Sequence, residues 1–220
     1  MNFNKKKVLV VALAVCLVAI LSFGTLAWFT DTERVDNIFK VTTSDETGDP
    51  DFNVEIFETE VDPQTGKIGD GDGDGNVEEV KGNTYDAIAP GDTLDKNPTV
   101  RNGGQYDQWV RVKVTISDYA TWCAVKGANY DFTEILNGIS PNGWTKDNTP
   151  VVSGENATYT YYLNSKLKPG ETATLFTSVT IPSEFTVENM FAQFELDVVA
   201  EAIQADNTGN NAQIAFQNCW

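Results

Sequence analysis

Strict alternation over residues 109–117, WVRVKVTIS, is the feature that most constrains what this chain can fold into. Apolar side chains stand at every second position of the run: Val110, Val112, Val114 and Ile116. Successive side chains of a β-strand point to opposite faces of its sheet, so a period of two predicts a strand with one buried and one wet face. A helix would need a period near 3.6, which this run does not have.

The rest of the chain after residue 45 repeats this pattern between turn signals. Similar runs predict strands at residues 52–61, 158–163, 172–181 and 191–202, whereas residues 132–136 predict a short helix and residues 141–144 a turn. Pro-Gly pairs at Pro90-Gly91 and Pro169-Gly170 predict tight turns. No sustained helical period appears after the N-terminal apolar segment. We therefore expect an all-β fold, an antiparallel β-sandwich of the jelly-roll type, as a single domain over residues 46–220.

Composition excludes several classes of function. The chain carries 15 Lys+Arg against 32 Asp+Glu, a formal charge of -17. A nucleic-acid binder needs clustered basic residues, so we expect no nucleic-acid partner. Because the sequence contains no histidine, zinc sites of the HExxH type and Ser-His-Asp or Cys-His catalysis are impossible. We predict that the protein is not an enzyme.

The first 27 residues predict a cleaved secretory signal helix. Lys5, Lys6 and Lys7 precede an uninterrupted apolar run at residues 8–21, and small residues follow. Cleavage is expected between Ala27 and Trp28, which makes a signal peptidase a partner and limits membrane contact to the time before cleavage. A retained membrane anchor is the alternative, although the apolar run is short for a span.

The cysteines leave two interpretations open. Cys16 lies within the signal, so Cys123 and Cys219 remain in the exported chain. Two thiols in an exported protein can form one disulfide. The alternative is two unpaired, inert thiols.

An acidic, glycine-rich loop spans residues 66–82 and predicts a Ca²⁺ site. Ca²⁺ prefers six to eight oxygen ligands, and aspartates at alternating positions aim carboxylates at one centre while glycine permits a tight turn. The predicted ligands are Asp70, Asp72, Asp74, Asn76 and Glu78. An EF-hand register fails because Lys81 occupies the last ligand position. A looser loop completed by Glu78, Glu79 or Asp62 is therefore expected, and the alternative is a flexible acidic loop without a specific site.

The junction at residues 27–31, AWFTD, and Asn37-Ile38-Phe39 resemble signals cut by the SipW-type signal peptidase of Gram-positive bacteria. Further pieces resemble the TasA/camelysin family: the turn at residues 90–92, the run VRNGG at 100–104, the turn at 169–171 and the run AEAIQA at 200–205. The resemblance implies a jelly-roll domain that is secreted to the matrix or cell surface and assembles with itself into fibres of a biofilm. A metallopeptidase activity ascribed to camelysins is not carried over, because no matching ligand set is present.

Strand addition is the expected mechanism of assembly, with residues 28–45 as an extended donor strand and linker. The residues expected to carry it are Trp28, Phe29, Val35, Ile38, Phe39 and Val41. Phe29, Val35 and Phe39 share one parity with Val41, so an extended chain would present them on one face. The alternative is that this segment pairs within its own chain as the first strand.

Two other functions are weighed against a structural one. A Ca²⁺-dependent surface adhesin or carbohydrate-binding module would use an aromatic platform, for which the candidates are Trp109, Trp122, Trp144, Tyr159, Tyr161 and Tyr162. Such rings are more often core residues. A hydrolase using carboxylates such as Glu78 and Glu79 is the least favoured hypothesis.

Overall fold

Antiparallel strands make up most of the secondary structure in the computed structural model, which describes the backbone of residues 30–35 and residues 52–86, 88–185 and 194–219. The strands are β1 (Thr30–Val35), β2 (Val54–Thr59), β3 (Val61–Asp62), β4 (Lys67–Ile68), β5 (Glu79–Val80), β6 (Thr93–Asp95), β7 (Thr99–Asn102), β8 (Gln108–Ile116), β9 (Leu136–Asn137), β10 (Trp144–Lys146), β11 (Val151–Ser153), β12 (Asn156–Leu163), β13 (Thr172–Thr174), β14 (Ser178–Thr180) and β15 (Leu196–Gln204). The helices are α1 (Tyr119–Lys126) and α2 (Ala212–Cys219), with a 3₁₀ helix at Phe132–Ile135.

The largest sheet has the order β1-β15-β8-β12-β10, with β11 also paired to β12. Its centre is β8, whose partners on the two sides are β15 and β12. The predicted inward face of β8 is fully buried, since Val110, Val112, Val114 and Ile116 have no exposed surface. The alternation in the sequence thus marks the middle of the sheet.

Smaller sheets supply the other side of the core. One has the order β13-β7-β2-β5, another β6-β14-β9, and β3 and β4 form a short hairpin. Inward residues of both layers belong to one hydrophobic cluster, such as Val54 of β2, Val100 of β7 and Val198 of β15. The all-β sandwich prediction is therefore confirmed, whereas jelly-roll connectivity stays a prediction.

A polar corner joins two of the motifs noted in the sequence. Asn102, which is fully buried, donates from Nδ2 to the carbonyls of Tyr106 and Leu167 and accepts from the Gly104 N–H. Its backbone exchanges bonds with the other motif, since it donates to the Glu171 carbonyl and accepts from Gly170. The run at residues 100–104 and the Pro-Gly turn thus form a single hydrogen-bonded corner.

Both Pro-Gly turns are built in the same way. Gly91 and Gly170 have φ of 91° and 77°, the left-handed region that favours glycine. In each turn the acidic residue that follows accepts, on its side chain, the N–H three residues before it: Asp92 from Ala89 at 2.7 Å, and Glu171 from Lys168 at 3.0 Å. The turn predictions are confirmed.

Several local predictions need correction. The run at residues 172–181 is not one strand, because its chain leaves the β7 edge at β13 and joins β6 and β9 as β14. The segment predicted as a loop at residues 66–82 contains two short strands, β4, which pairs with β3, and β5, which pairs with β2. Helices α1 and α2 were not predicted, because eight-residue helices carry too few turns for a clear periodic signal. The short helix predicted at 132–136 is confirmed as the 3₁₀ helix.

Among the residues that the structure describes, no helix is both long and apolar enough to cross a membrane. The predicted signal at residues 1–27 and its cleavage site at Ala27 and Trp28 lie outside the described residues.

Candidate functional site

The acidic loop between β4 and β5 is wound around the carboxylate of Asp70. Its Oδ1 accepts the backbone N–H groups of Gly73 and Asp74 at 2.7 and 3.1 Å, and its Oδ2 accepts that of Gly75 at 2.8 Å. The glycines permit this winding, since Gly73 and Gly75 have φ of 81° and 96°. The loop therefore has a defined local structure set by its own aspartates.

Glu60 was not among the site residues predicted from the sequence, and its carboxylate holds the acidic loop through hydrogen bonds. Its Oε1 accepts the N–H groups of Gly71 and Asp72 at 2.8 and 3.1 Å, and its Oε2 accepts that of Glu78 at 3.3 Å. The Glu60 backbone also bonds both ends of the loop, receiving a hydrogen bond from Gly69 and donating one to Glu78. Glu60 is 8% exposed, so a buried carboxylate lies at the base of an exposed loop.

Carboxylate oxygens of Glu60, Asp70 and Asp72 lie within 4.8 Å of one another. The structure thus brings together Asp70 and Asp72, as predicted, and replaces the expected third ligand by Glu60. Asp74 and Glu78 are not members of this group of carboxylates among the described residues. Asp74 accepts from the Asn76 N–H, and Asp62, expected as a completing ligand, accepts from Gln64.

The donor set fits a hard divalent cation. Three carboxylates within one small volume repel one another, and a cation between them would remove that repulsion. Backbone hydrogen bonds, chiefly from Gly75, hold the pKa of the Asp70 carboxyl below its usual value, so it stays ionised into mild acid. Oxygen ligands without nitrogen or sulfur favour Ca²⁺ or Mg²⁺ over transition metals.

Close packing fixes the loop against the hairpin. A Cβ placed on Gly71 would lie 2.4 Å from the Val61 carbonyl oxygen, so no other residue fits without moving the chain. On the far side, Lys67 donates to Asp95 Oδ1 at 3.1 Å and to the Thr93 carbonyl at 2.7 Å. The acidic loop is therefore held at its start by strand contacts as well as by Glu60.

The predicted donor segment overlaps an edge strand of the largest sheet. Strand β1 pairs antiparallel with β15, with Thr30 opposite Ile203 and Val35 opposite Val198. This is the alternative in which the segment pairs within its own chain. The other predicted assembly residues, Trp28, Phe29, Ile38, Phe39 and Val41, lie outside the described residues.

Burial contradicts an aromatic sugar platform. Five of the six candidate rings are buried, with exposures of 5% or less: Trp109, Trp122, Trp144, Tyr159 and Tyr161. Tyr162 is half-buried and packs against a second small cluster at α2. These rings belong to the core, because burial of their large apolar surface stabilises the fold.

The predicted Cys123–Cys219 disulfide is not formed. Both cysteines are free thiols. Cys123 on α1 packs against the main core, whereas Cys219 at the end of α2 packs against a different cluster. The two helices thus place the thiols in separate environments, and the alternative of unpaired thiols holds.

The acidic pair proposed for hydrolysis is already engaged. Glu79 accepts a hydrogen bond of 2.6 Å from Arg101, and the Glu78 backbone is bonded to Glu60. Comparisons of the chain with family models, with curated proteins and with solved structures find no match.

Proposed function

We propose that this protein is a secreted structural protein whose mature chains assemble into extracellular fibres. The N-terminal segment of one copy would add as a strand to the sheet edge of the next. The observation that supports this most is the position of β1 at the outer edge of the six-stranded sheet, paired to β15 alone among the described strands.

Strand β1 can pair with β15 of its own chain or with β15 of another copy. Backbone hydrogen bonds between antiparallel strands do not depend on which copy supplies the strand, so the register of Thr30–Val35 on β15 can form within one chain or between two. Strand exchange therefore conserves these bonds. A chain without β1 would expose the N–H and C=O groups along β15, and such an edge attracts another strand.

Chain length permits the exchange. Residues 36–53 connect β1 to β2 and would span about 60 Å if fully extended. That reach exceeds the diameter of a small domain. The acidic charge of the chain, -17 over its full length, would oppose close association, so assembly is expected to be favoured by salt or by divalent cations.

Calcium is proposed as a structural cofactor bound by Glu60, Asp70 and Asp72. The buried Glu60 carboxylate gives the cluster one fixed ligand, and the loop supplies the other two. Export to the matrix or surface of a Gram-positive cell, after cleavage at Ala27, would expose the protein to the calcium concentrations that such loops require.

A Ca²⁺-dependent adhesin is the second candidate function, and the same acidic cluster favours it. An adhesin would bind its target as a monomer through the loop. It would not need the β1 segment.

Deletion of residues 28–41 tests the leading proposal. We expect the truncated mature protein still to unfold in a cooperative thermal transition but to form no fibres in negative-stain micrographs. A synthetic peptide of residues 28–41 should bind the truncated protein, whereas a peptide of scrambled sequence should not. Normal fibres from a folded truncated protein would overturn the proposal.

A further inference from the structure

A buried ion pair with an asparagine at its side lies beneath the acidic loop. Glu58 on β2 is fully buried, Lys96 after β6 is 3% exposed, and Asn83 is 5% exposed. Lysine is rarely buried to this degree. A charged pair in the interior carries a large desolvation cost, so stability alone does not account for its burial here.

One carboxylate joins the other two side chains. Lys96 Nζ donates to Glu58 Oε1 at 2.5 Å, and Asn83 Nδ2 donates to Glu58 Oε2 at 3.1 Å. The amine of lysine and the amide of asparagine are thus held on the two oxygens of the same group, shielded from water.

The carbonyl of the amide is polarised. The Val61 backbone N–H donates to Asn83 Oδ1 at 3.0 Å, and Asn83 Nδ2 donates a second bond to the Thr59 carbonyl at 2.9 Å. An N–H group aimed at a carbonyl oxygen stabilises the negative charge that develops there when a nucleophile attacks its carbon. The same contacts fix the orientation of the amide plane.

We propose that Lys96 and Asn83 join in an intramolecular isopeptide bond, with Glu58 as the proton-transfer group. A lysine amine becomes a nucleophile once a base has taken its proton, and Glu58 Oε1 lies 2.5 Å from Lys96 Nζ in position to do so. Glu58 touches both the attacking nitrogen and the leaving nitrogen.

The reaction balances without any co-reactant. Lys96 passes a proton to Glu58, and the free amine attacks Cγ of Asn83, placing negative charge on Oδ1 beside the Val61 N–H. Glu58 returns that proton to Nδ2, the Cγ–Nδ2 bond breaks, and ammonia leaves. The new amide nitrogen then loses its surplus proton to Glu58, or through it to the ammonia, which departs as ammonium. Attack requires Nζ to come within about 3 Å of Cγ, so the lysine side chain must turn from Glu58 toward the amide.

The bond would close residues 83–96 into a covalent ring. That ring contains β6, which pairs with β14, and its ends lie on both sides of Glu58. Asn83 also bonds the chain on both sides of Glu60, at the Thr59 carbonyl and the Val61 N–H. The cross-link would therefore hold the base of the acidic loop and protect the chain after Lys96 from proteases.

Mass spectrometry of the purified mature protein tests the proposal. The intact mass should be lower than that of the mature sequence by one ammonia. Trypsin should fail to cut after Lys96, so residues 82–101 should appear as one peptide lacking one ammonia, with no fragment ions from within residues 83–96. Unchanged mass with normal cleavage after Lys96 would overturn the proposal. So would a loss of ammonia with normal cleavage, which an Asn83 succinimide would give.

Variants separate the roles of the three residues. E58Q should keep the full mass and regain cleavage after Lys96, while E155Q, a change at an exposed glutamate, should behave as the wild type. N83D should lose one water in place of one ammonia, because its carboxyl would condense with the amine. An ammonia loss in a folded E58Q or K96M variant would contradict the assignment.

Discussion

The buried carboxylate of Glu60 accepts the backbone N–H of Asp72 at 3.1 Å, and it brings the residue between β2 and β3 into the acidic loop. This contact makes the loop part of the sandwich. It also adds a ligand candidate that lies outside the Asp-x-Asp-x-Asp pattern. The candidate cation site is thus divided between the β2–β3 junction and the loop.

Replacing Glu60 should weaken calcium binding as strongly as replacing an aspartate of the loop. We expect E60Q and D70N each to lower calcium affinity at least tenfold in calorimetric titration of the mature protein, because each removes one of three clustered carboxylates. D206N, at an exposed aspartate outside the cluster, is the control and should bind as the wild type. Saturable wild-type binding that E60Q leaves intact would contradict the proposed ligand set.

The contact between Gly71 and Val61 gives a steric prediction. In G71A the new Cβ would meet the Val61 carbonyl oxygen at 2.4 Å, so the loop must move, with an expected loss of about 1–3 kcal/mol in the free energy of unfolding. G69A is a matched control, because its Cβ would have no neighbour closer than 3.7 Å. Denaturant unfolding measures both, and equal stability of the two variants would count against the loop geometry.

Lowering the pH should reduce the free energy of unfolding, in part because Asp131 becomes protonated. Burial alone would raise the pKa of this carboxyl, but hydrogen bonds from Lys146 and Thr133 outweigh it and hold the pKa below the usual value. The ionised form is therefore favoured in the folded state. Its contribution is complete above about pH 4, the pKa in an unfolded chain, and is lost as the pH falls through the lower folded value. D131N should destabilise by about 1 kcal/mol at pH 7 and show a shallower loss of stability between pH 4 and pH 2. Parallel pH profiles of the two proteins would refute this role.

The reactivity of Cys123 and Cys219 toward a thiol reagent tests whether a disulfide links them. Mature protein denatured without reductant should react with two equivalents of a thiol reagent, from Cys123 and Cys219. In the folded protein Cys219 should react more slowly than a free thiol at the same pH, because burial raises its pKa and lowers the thiolate fraction. Two thiols appearing only after reduction would show that the bridge exists.

Local patterns predicted those parts of the fold whose stabilising contacts are encoded locally. The alternation in β8 identifies its buried face without knowledge of its neighbours, and a Pro-Gly pair sets its own turn. The two short helices were missed because helices of this length are marginal alone and depend on tertiary packing. In α2 that packing uses Ala212, Ala215 and Phe216, whose spacing is helical but covers little more than one turn.

The acidic side chains in and directly after β2 follow an alternation that indicates burial, but the sequence-based prediction did not use it. Val54 and Ile56 are buried at every second position, and Glu58 and Glu60 continue the same parity into the interior. Charged residues in such positions are normally assigned to the surface. Their partners, Lys96, Asn83 and the loop N–H groups, come from distant segments, and strand pairing rather than local sequence brings them together.

Covalent trapping of β1 on β15 tests fibre assembly by strand addition most directly. Arg34 is opposite Val199, and paired residues of antiparallel strands are close enough for a disulfide. Fibres of R34C/V199C protein, with Cys123 and Cys219 replaced by serine, should yield a ladder of covalent multimers in denaturing gels after oxidation. Each single-cysteine variant should give at most dimers. Fibres that dissolve into internally cross-linked monomers would contradict the proposal that β1 is donated between copies.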